Sequence, residues 1–418
     1  MRGRDRRTVQ RVWSGEVDLG DTLTLPDLPS SSWVESFDTA RLLVRVHGEP
    51  VGFTNVAIRD RELQTEDVLA AIEHDLGSES TEASPAGDLL NFHDQTPLTI
   101  VVCTRNRASA LASCLSHLRN LDGEIAEILV VDNAPSDEST AQLVAAVADE
   151  DDRVRYLLEP KPGLSRARNC GLRHARGELI AFADDDVRVD RHWAKGLIRG
   201  FTRTPGVACV TGMVASASLE LAAEQYFDAR VWWSSSCQPR VYDSAHGPSL
   251  GLHPYAAGQF GTGANFAFRL PILRALGGFD ESLGAGSRAA GGEDLDIFVR
   301  VIRGGYDLAY EPAALVWHEH RADEAELERQ LYSYGKGLSA YLTKYLVSRE
   351  TRAEILRRVP QGLGHLGALR GRSRDAQARS GLDRRLMLAE LRGLLTGPWS
   401  YLRSRAEQDP ASVRRVAP

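Results

Sequence analysis

Three consecutive aspartates, Asp184, Asp185 and Asp186, follow directly on the apolar stretch 179–183. The stretch predicts a buried strand, and side chains two residues apart in extended chain point the same way, so Asp184 and Asp186 can share a face. Converging carboxylates repel each other unless a cation lies between them, and oxygen ligands suit Mg²⁺ or Mn²⁺. We therefore interpret this segment as a divalent-cation site that also touches substrate phosphates. A solvated turn or a helix cap is the alternative for an aspartate run.

Two later segments also carry groups that could act on a substrate. Glu293 and Asp294 follow two glycines and open a predicted helix over 295–303. A carboxylate there is placed to serve as general base for an acceptor hydroxyl, although acids at a helix start also simply complement the helix dipole. His318 and His320 end a predicted strand and face the same side, and histidine is a frequent metal ligand. A structural histidine fits the pattern equally well.

The elements that must position these groups alternate between strand and helix. Continuous apolar, β-branched runs predict strands, and helical periodicity lies between them. The predicted strands are 98–103, 125–131, 154–158 and 179–183, and the predicted helices are 108–121, 138–148 and 164–175. This alternation predicts an α/β fold built of right-handed βαβ units, with an open, mostly parallel sheet flanked by helices. Ligands bind such sheets at the carboxyl ends of the strands, where the aspartates fall.

The ends of the first two predicted strands narrow the choice of ligand. The first strand runs into residues 104–107, which contain no glycine, so neither a dinucleotide-binding fingerprint nor a Walker-type phosphate loop is present there. The second strand ends in Asp132 and Asn133. A carboxylate at a strand tip can accept hydrogen bonds from a ribose or a base, although Asp-Asn is also common turn chemistry.

The regions on either side of the predicted sheet differ from it. Residues 1–95 contain a predicted β-hairpin turning at Gly48, a helix over 67–76 and a polar linker over 77–87, and we assign them no chemistry. Residues 96–321 form the predicted catalytic domain, and 322–418 form a helical region with many arginines. A basic amphipathic helix can lie on an anionic membrane, but such arginines more often form a solvated face.

Composition places the chain among globular proteins. It has 418 residues, 43% hydrophobic and 26% charged, a net charge of -7 and a pI near 5.9. That charge argues against nucleic acid as a partner, because nucleic-acid-binding domains usually carry an excess of basic residues. No apolar run approaches membrane-spanning length, and no hydrophobic signal region follows the N-terminus, so we expect a cytoplasmic protein. Five scattered cysteines are interpreted as free, mostly buried thiols in a reducing compartment.

The ordered set of motifs resembles the family 2 glycosyltransferases with the GT-A fold, over roughly residues 97–346. The segments that carry the resemblance are 104–107, 131–133, 163–169, 184–186, 263–265, 277–280 and 292–294, followed by His318. The resemblance implies an inverting, metal-dependent transfer of sugar from a nucleotide sugar, expected to be a UDP-sugar, to an acceptor hydroxyl.

The resemblance also implies residue roles. Asp294, with Glu293 beside it, is the expected base, while Asp186 and His318 are the expected ligands of Mn²⁺ or Mg²⁺. The expected donor-binding residues are Thr104, Arg107, Asp132, Arg166, Asn169, Asp184 and Asp185. Lys336, between two glycines, is read as part of a mobile loop that closes over the pyrophosphate.

Some features separate this chain from other glycosyltransferases and from rival functions. The Gln-x-x-Arg-Trp motif of processive members is absent, as are membrane helices, so we expect one sugar to be added at a time. A nucleotidyltransferase is disfavoured, because it would need a glycine-rich loop with a basic residue after the first strand and residues 104–107 do not supply one. A non-catalytic binding protein is disfavoured by the intact acidic pairs.

Aromatic residues over 219–260 shape either the acceptor side or the core. The identity of the sugar, the identity of the acceptor and the homo-oligomeric state stay open.

Overall fold

A computed structural model describes residues 11–20, 25–26, 28, 37–77, 89–247, 252–319, 323–358, 360–361 and 385–408. Several predicted features lie outside these residues, namely the linker segment 78–87, His320, and the arginines Arg370, Arg372, Arg374 and Arg384. Among the described helices, none is both long enough and apolar enough to cross a membrane.

The N-terminal region forms a small sheet of its own. Strands β1 (Val12–Asp18), β2 (Thr39–Val46) and β3 (Glu49–Ala57) pair in that order, and helix α1 (Thr65–Leu76) packs on the sheet. β2 and β3 form the predicted antiparallel hairpin, and the tight turn is made by Gly48, whose φ of 79° favours glycine.

The second sheet carries the chemistry. In the described part of the chain it has nine strands, adding β4 (Leu98–Thr104), β5 (Ile125–Asn133), β6 (Val154–Glu159), β7 (Leu179–Asp184), β8 (Val187–Val189), β9 (Val207–Ser216), β10 (Arg240–Tyr242), β11 (Asn265–Arg269) and β12 (Asp307–His318). The order is β10-β12-β9-β11-β7-β4-β5-β6, with β8 paired to β12. The predicted parallel strands β7, β4, β5 and β6 are adjacent, whereas β11 runs antiparallel between β7 and β9.

Helices cover the sheet and extend beyond it. They are α2 (Ala108–Leu118), α3 (Ser139–Ala148), α4 (Leu164–His174), α5 (Trp193–Gly200), α6 (Ala222–Arg230), α7 (Leu270–Ala275), α8 (Glu293–Arg303), α9 (Glu324–Val347) and α10 (Arg385–Gln408). The predicted α/β architecture with a helical C-terminal region is therefore confirmed. The buried faces of the strands and helices form one large apolar core.

The structure corrects the expectation that Lys336 lies in a mobile loop. Lys336 lies inside helix α9, with its ammonium 5.7 Å from the Tyr332 ring centroid. The neighbouring glycines suggested a loop, but they serve close packing. A Cβ on Gly335 would collide with the main chain of Glu390 in α10, and one on Gly337 would lie 2.8 Å from the carbonyl carbon of Gly291.

A buried ionic network joins the N-terminal sheet to the larger sheet. The Arg199 guanidinium donates to Glu49 of β3 and, at 2.8 Å, to Glu311 of β12, and all three side chains are buried. Arg203 also donates to Glu311, at 3.0 Å. Breaking a buried network is costly because the remaining charges lose their partner, so this contact holds the two sheets in a fixed relation.

Candidate active site

A cavity of about 450 Å³ opens at the carboxyl ends of β4 and β7. Eight of the residues predicted to act on donor, metal or acceptor line it: Thr104, Arg107, Asp184, Asp185, Asp186, Glu293, Asp294 and His318. The cavity also takes Gln330 and Tyr334 from α9, which belongs to the predicted C-terminal region. Helix α9 of the C-terminal region therefore contributes to the wall of the cavity.

Strand pairing brings His318 to the aspartates. β7 ends at Asp184, and the short β8 that follows pairs antiparallel with the end of β12, with Val187 opposite His318. The result is a distance of 3.5 Å between His318 Nε2 and Asp186 Oδ1. One ligand atom from each of Asp184, Asp186 and His318 lies within 4.8 Å of the others. Two carboxylates and one imidazole suit a divalent ion such as Mn²⁺, so the donor set fits the expected metal.

Thr104 and Arg107 donate hydrogen bonds to Asp185, the middle residue of the aspartate run. The Thr104 hydroxyl donates to Asp185 Oδ2 at 2.7 Å, and the Arg107 guanidinium donates to Asp185 Oδ1 at 2.6 Å and to Asp186 Oδ2 at 2.9 Å. Burial raises the pKa of Asp185, while the Thr104 hydrogen bond and Arg107 oppose the rise. Asp185 and Asp186 thus anchor the guanidinium of Arg107, a residue that lines the cavity.

The electrostatics of Asp184 favour a cation. Burial raises the pKa of Asp184 to about 7; Arg168 opposes this rise, while the carboxylates of Asp186 and Asp185 add to it. A divalent ion at the cluster would favour the ionised form of each carboxylate and remove that repulsion.

Arg168 lines the cavity, although it was not among the residues predicted for the site. It is buried, donates to Glu293 Oε1 at 2.8 Å and to the Gly263 carbonyl at 2.8 Å, and lies 3.9 Å from Asp184 Oδ1. Burial raises the pKa of Glu293 to about 7 and Asp294 adds to the rise, while Arg168 opposes it. Helical spacing is the sequence signal that could have indicated Arg168, because it lies four residues after Leu164, which also lines the cavity.

Asp294 is held with both carboxylate oxygens engaged. Oδ2 accepts from the Gly263 amide and Oδ1 from the Leu295 amide, each at 2.9 Å. The helix begins after Gly292, whose φ of 88° allows the sharp entry that the glycine pair predicted. A Cβ on Gly263 would lie 3.0 Å from Asp294 Cβ, so glycine there permits the close approach.

Three predicted donor-binding residues do not line this cavity. Arg166 pairs with Glu281 at 2.6 Å, and Asn169 exchanges hydrogen bonds with the main chain of Phe279 at 2.9 and 2.8 Å. Asp132 is fully buried and accepts from Tyr156 at 3.0 Å. Asn169 therefore supports the site from outside by holding a loop, and the nucleotide contacts of Arg166 and Asp132 stay predictions.

The aromatic residues left open by the sequence divide between the two alternatives. Trp233 lines the cavity together with Phe227 of α6 and Tyr334 of α9, and the Phe227 ring lies 6.0 Å from Trp233 and 6.1 Å from Tyr334. Tyr242 and Tyr255 do not line the cavity, and they pack in the same large apolar core as Trp233 and Phe227. Part of the cavity lining is therefore aromatic.

Comparison with known proteins finds similarity to glycosyltransferases. Residues 99–260 match the model of glycosyl transferase family 2. The pre-mycofactocin glycosyltransferase of Mycobacterium tuberculosis is 28% identical over 65% of this chain. The match covers about half (55%) of that protein's own length. The succinoglycan biosynthesis protein ExoM of Rhizobium meliloti is 29% identical over 57% of this chain and 73% of its own. A solved mannosyltransferase from Pyrobaculum calidifontis has a TM-score of 0.47 and 18% identity, covering 78% of this chain and 89% of its own.

Proposed function

Since residues 99–260 match the model of glycosyl transferase family 2, we propose that this chain is a member of that family and moves a sugar from a nucleotide-sugar donor to an acceptor hydroxyl. The observation that carries the proposal is the shared cavity. It combines a metal-binding donor set, three arginines (Arg105, Arg107 and Arg168) and a carboxylate pair at the carboxyl ends of the strands. Each of these groups has a task in sugar transfer.

The proposed metal ligands are Asp186 and His318, with Asp184 on the same cluster. A divalent ion held there would stabilise the negative charge that develops on the departing diphosphate. Arg107, anchored by Asp185, lies beside the same cluster and adds a fixed positive charge for the phosphates. The imidazole nitrogen in the donor set favours Mn²⁺ over Mg²⁺, which prefers oxygen ligands.

The proposed general base is Asp294. The amides of Gly263 and Leu295 fix its carboxylate at the cavity wall, and each of its oxygens keeps a further lone pair for the acceptor hydroxyl. Glu293 is turned to the buried Arg168, so we assign it to positioning rather than to proton transfer. Asp294 would remove the proton as the hydroxyl attacks the sugar carbon on the side opposite the leaving diphosphate. This single displacement would invert the configuration at that carbon.

The donor is proposed to carry uridine. This choice rests on the family resemblance around Asp132 and Arg166. Asp132 Oδ1 is buried and, among the described residues, has no hydrogen-bond donor. A carboxylate oxygen is a suitable acceptor for an N–H of a base. Calorimetry with UDP, GDP, CDP and dTDP in the presence of Mn²⁺ tests the assignment. The proposal is wrong if GDP or dTDP binds more than about tenfold tighter than UDP.

The aromatic wall is proposed as the acceptor side. Trp233, Phe227 and Tyr334 offer ring faces on which a sugar or an apolar aglycone can stack. The absence of the processive motif from the sequence supports addition of one sugar at a time. A panel of nucleotide sugars, scored for released nucleoside diphosphate with Mn²⁺ or Mg²⁺, tests the proposed activity. No release with any donor, across acceptors and water, would contradict it.

A further inference from the structure

The outward face of α10 is unusually apolar for a surface helix. Four large apolar side chains are exposed along it: Leu388 at 53%, Leu395 at 82%, Trp399 at 61% and Leu402 at 42% of their surface. Successive members are three, four or seven residues apart, so they form one stripe along the helix. Single exposed leucines need no explanation, but a contiguous stripe that includes a tryptophan marks an interaction surface.

The opposite face of the same helix explains why the stripe faces outward. Gly393 and Gly397 contact the main chain of α9 so closely that neither could carry a Cβ without a clash. Leu386, Ala389 and Tyr401 are buried on that side. The rotation of α10 is therefore fixed by its packing on α9, and the apolar stripe cannot turn inward.

A row of arginines borders the stripe. Arg385, Arg392 and Arg403 are exposed and follow helical spacing beside it, and the Arg403 guanidinium lies 4.9 Å from the Trp399 ring centroid. Both glutamates of α10 are held by arginines of other elements, because Glu390 pairs with Arg230 and Glu407 accepts from Arg288 at 2.6 Å while it also attracts Arg403. The row is thus a local positive surface on a chain whose net charge is -7.

We propose that this face of α10 binds an anionic membrane surface, with the stripe in the boundary between headgroups and acyl chains. Tryptophan and leucine on one face, and arginines that reach sideways to lipid phosphates, are the pattern of helices that lie in the membrane interface. The charge complementarity of the arginine row decides the nature of the occupant. This inference does not depend on the proposed sugar transfer.

A second copy of the chain fits the face less well. Two copies joined through this face would bring two arginine rows together, while both glutamates of the helix are already held by arginines of other elements. An anionic lipid surface supplies the missing countercharge.

The test measures flotation of the full chain with vesicles of phosphatidylcholine, alone or mixed with phosphatidylglycerol, at low and high salt. We expect binding to the mixed vesicles that weakens with salt, and little binding to phosphatidylcholine alone. The double variant Leu395→Gln/Trp399→Gln should lower partitioning by about tenfold or more, because two large apolar groups no longer enter the interface. Arg392→Gln/Arg403→Gln should lower binding to the mixed vesicles roughly tenfold and remove most of the salt dependence.

The matched control is Leu158→Gln on the edge strand β6, because Leu158 is 53% exposed but does not belong to α10. It should bind vesicles like the unaltered protein. Circular dichroism of each variant checks that the helices remain folded. The proposal is overturned by equal binding of the unaltered protein and the Leu395/Trp399 variant, by no binding to mixed vesicles, or by binding indifferent to anionic lipid. It is also overturned if sedimentation reveals a dimer that the Leu395/Trp399 variant abolishes.

Discussion

Replacing Asp294 with asparagine removes a proton acceptor and a hydrogen-bond acceptor at once. In the structure both carboxylate oxygens accept from backbone amides, those of Gly263 and Leu295. The amide group of asparagine can accept with its oxygen only, so its NH₂ must face one of the two backbone N–H groups. Losing one acceptor for a backbone amide costs about 1–3 kcal/mol, and we expect the free energy of unfolding to fall by that amount.

The catalytic effect should be much larger than the effect on stability. If Asp294 is the base, transfer should fall by about two to four orders of magnitude, because proton removal by a positioned group contributes that much. Donor affinity should change by no more than about twofold, since the role is confined to the transition state. The assay follows released nucleoside diphosphate with saturating donor, and calorimetry measures UDP binding with Mn²⁺.

Asp280→Asn is the matched control for this variant. Asp280 also accepts from a backbone amide, that of Ser282 at 2.9 Å, and pairs with Lys344 at 2.8 Å, but it does not line the cavity. This control should lose stability while keeping near-normal turnover in the folded fraction. If Asp294→Asn retains turnover within about threefold of the unaltered protein, the base is another group and the assignment fails.

Two further predictions concern stability. Arg199→Leu should lower the free energy of unfolding by about 3–5 kcal/mol in urea titration, because Glu49 and Glu311 become buried charges without that partner; a loss below about 1 kcal/mol would contradict the network's role. Asp151, whose pKa the Arg153 hydrogen bond lowers to about 2, contributes stability above its unfolded pKa that is lost as pH falls through the folded value. Asp151→Asn should therefore cost about 1–2 kcal/mol at pH 7 and progressively less from about pH 4 towards pH 2, and a pH-independent difference would refute this reading.

The sequence allowed the parts of the site that follow from local pattern to be predicted. The aspartate run lies at the end of a buried strand, so strand periodicity alone placed Asp184 and Asp186 on one edge of the sheet. The glycine pair before Glu293 likewise predicted the sharp entry into α8. Both signals lie within a few residues of the groups they position.

The features that local pattern could not supply depend on contacts distant in sequence. Arg166 and Arg168 are two residues apart, and only the packing of α4 decides that Arg168 is buried against Glu293 while Arg166 faces Glu281. His318 meets Asp186 through β8, a strand too short to predict from periodicity. The glycines around Lys336 suggested a loop, because their use in helix-to-helix contact is visible only once both helices are placed.

The most direct test of the account is the metal dependence of donor binding and turnover at the cluster of Asp186 and His318. We predict that EDTA abolishes release of nucleoside diphosphate and that Mn²⁺ restores it. Asp186→Ala and His318→Ala should each weaken metal-dependent UDP binding, and the double variant should lose less than the sum because both act through one ion. Full turnover in EDTA would contradict the metal-assisted account. Unchanged UDP affinity and Mn²⁺ requirement in His318→Ala would show that His318 is structural.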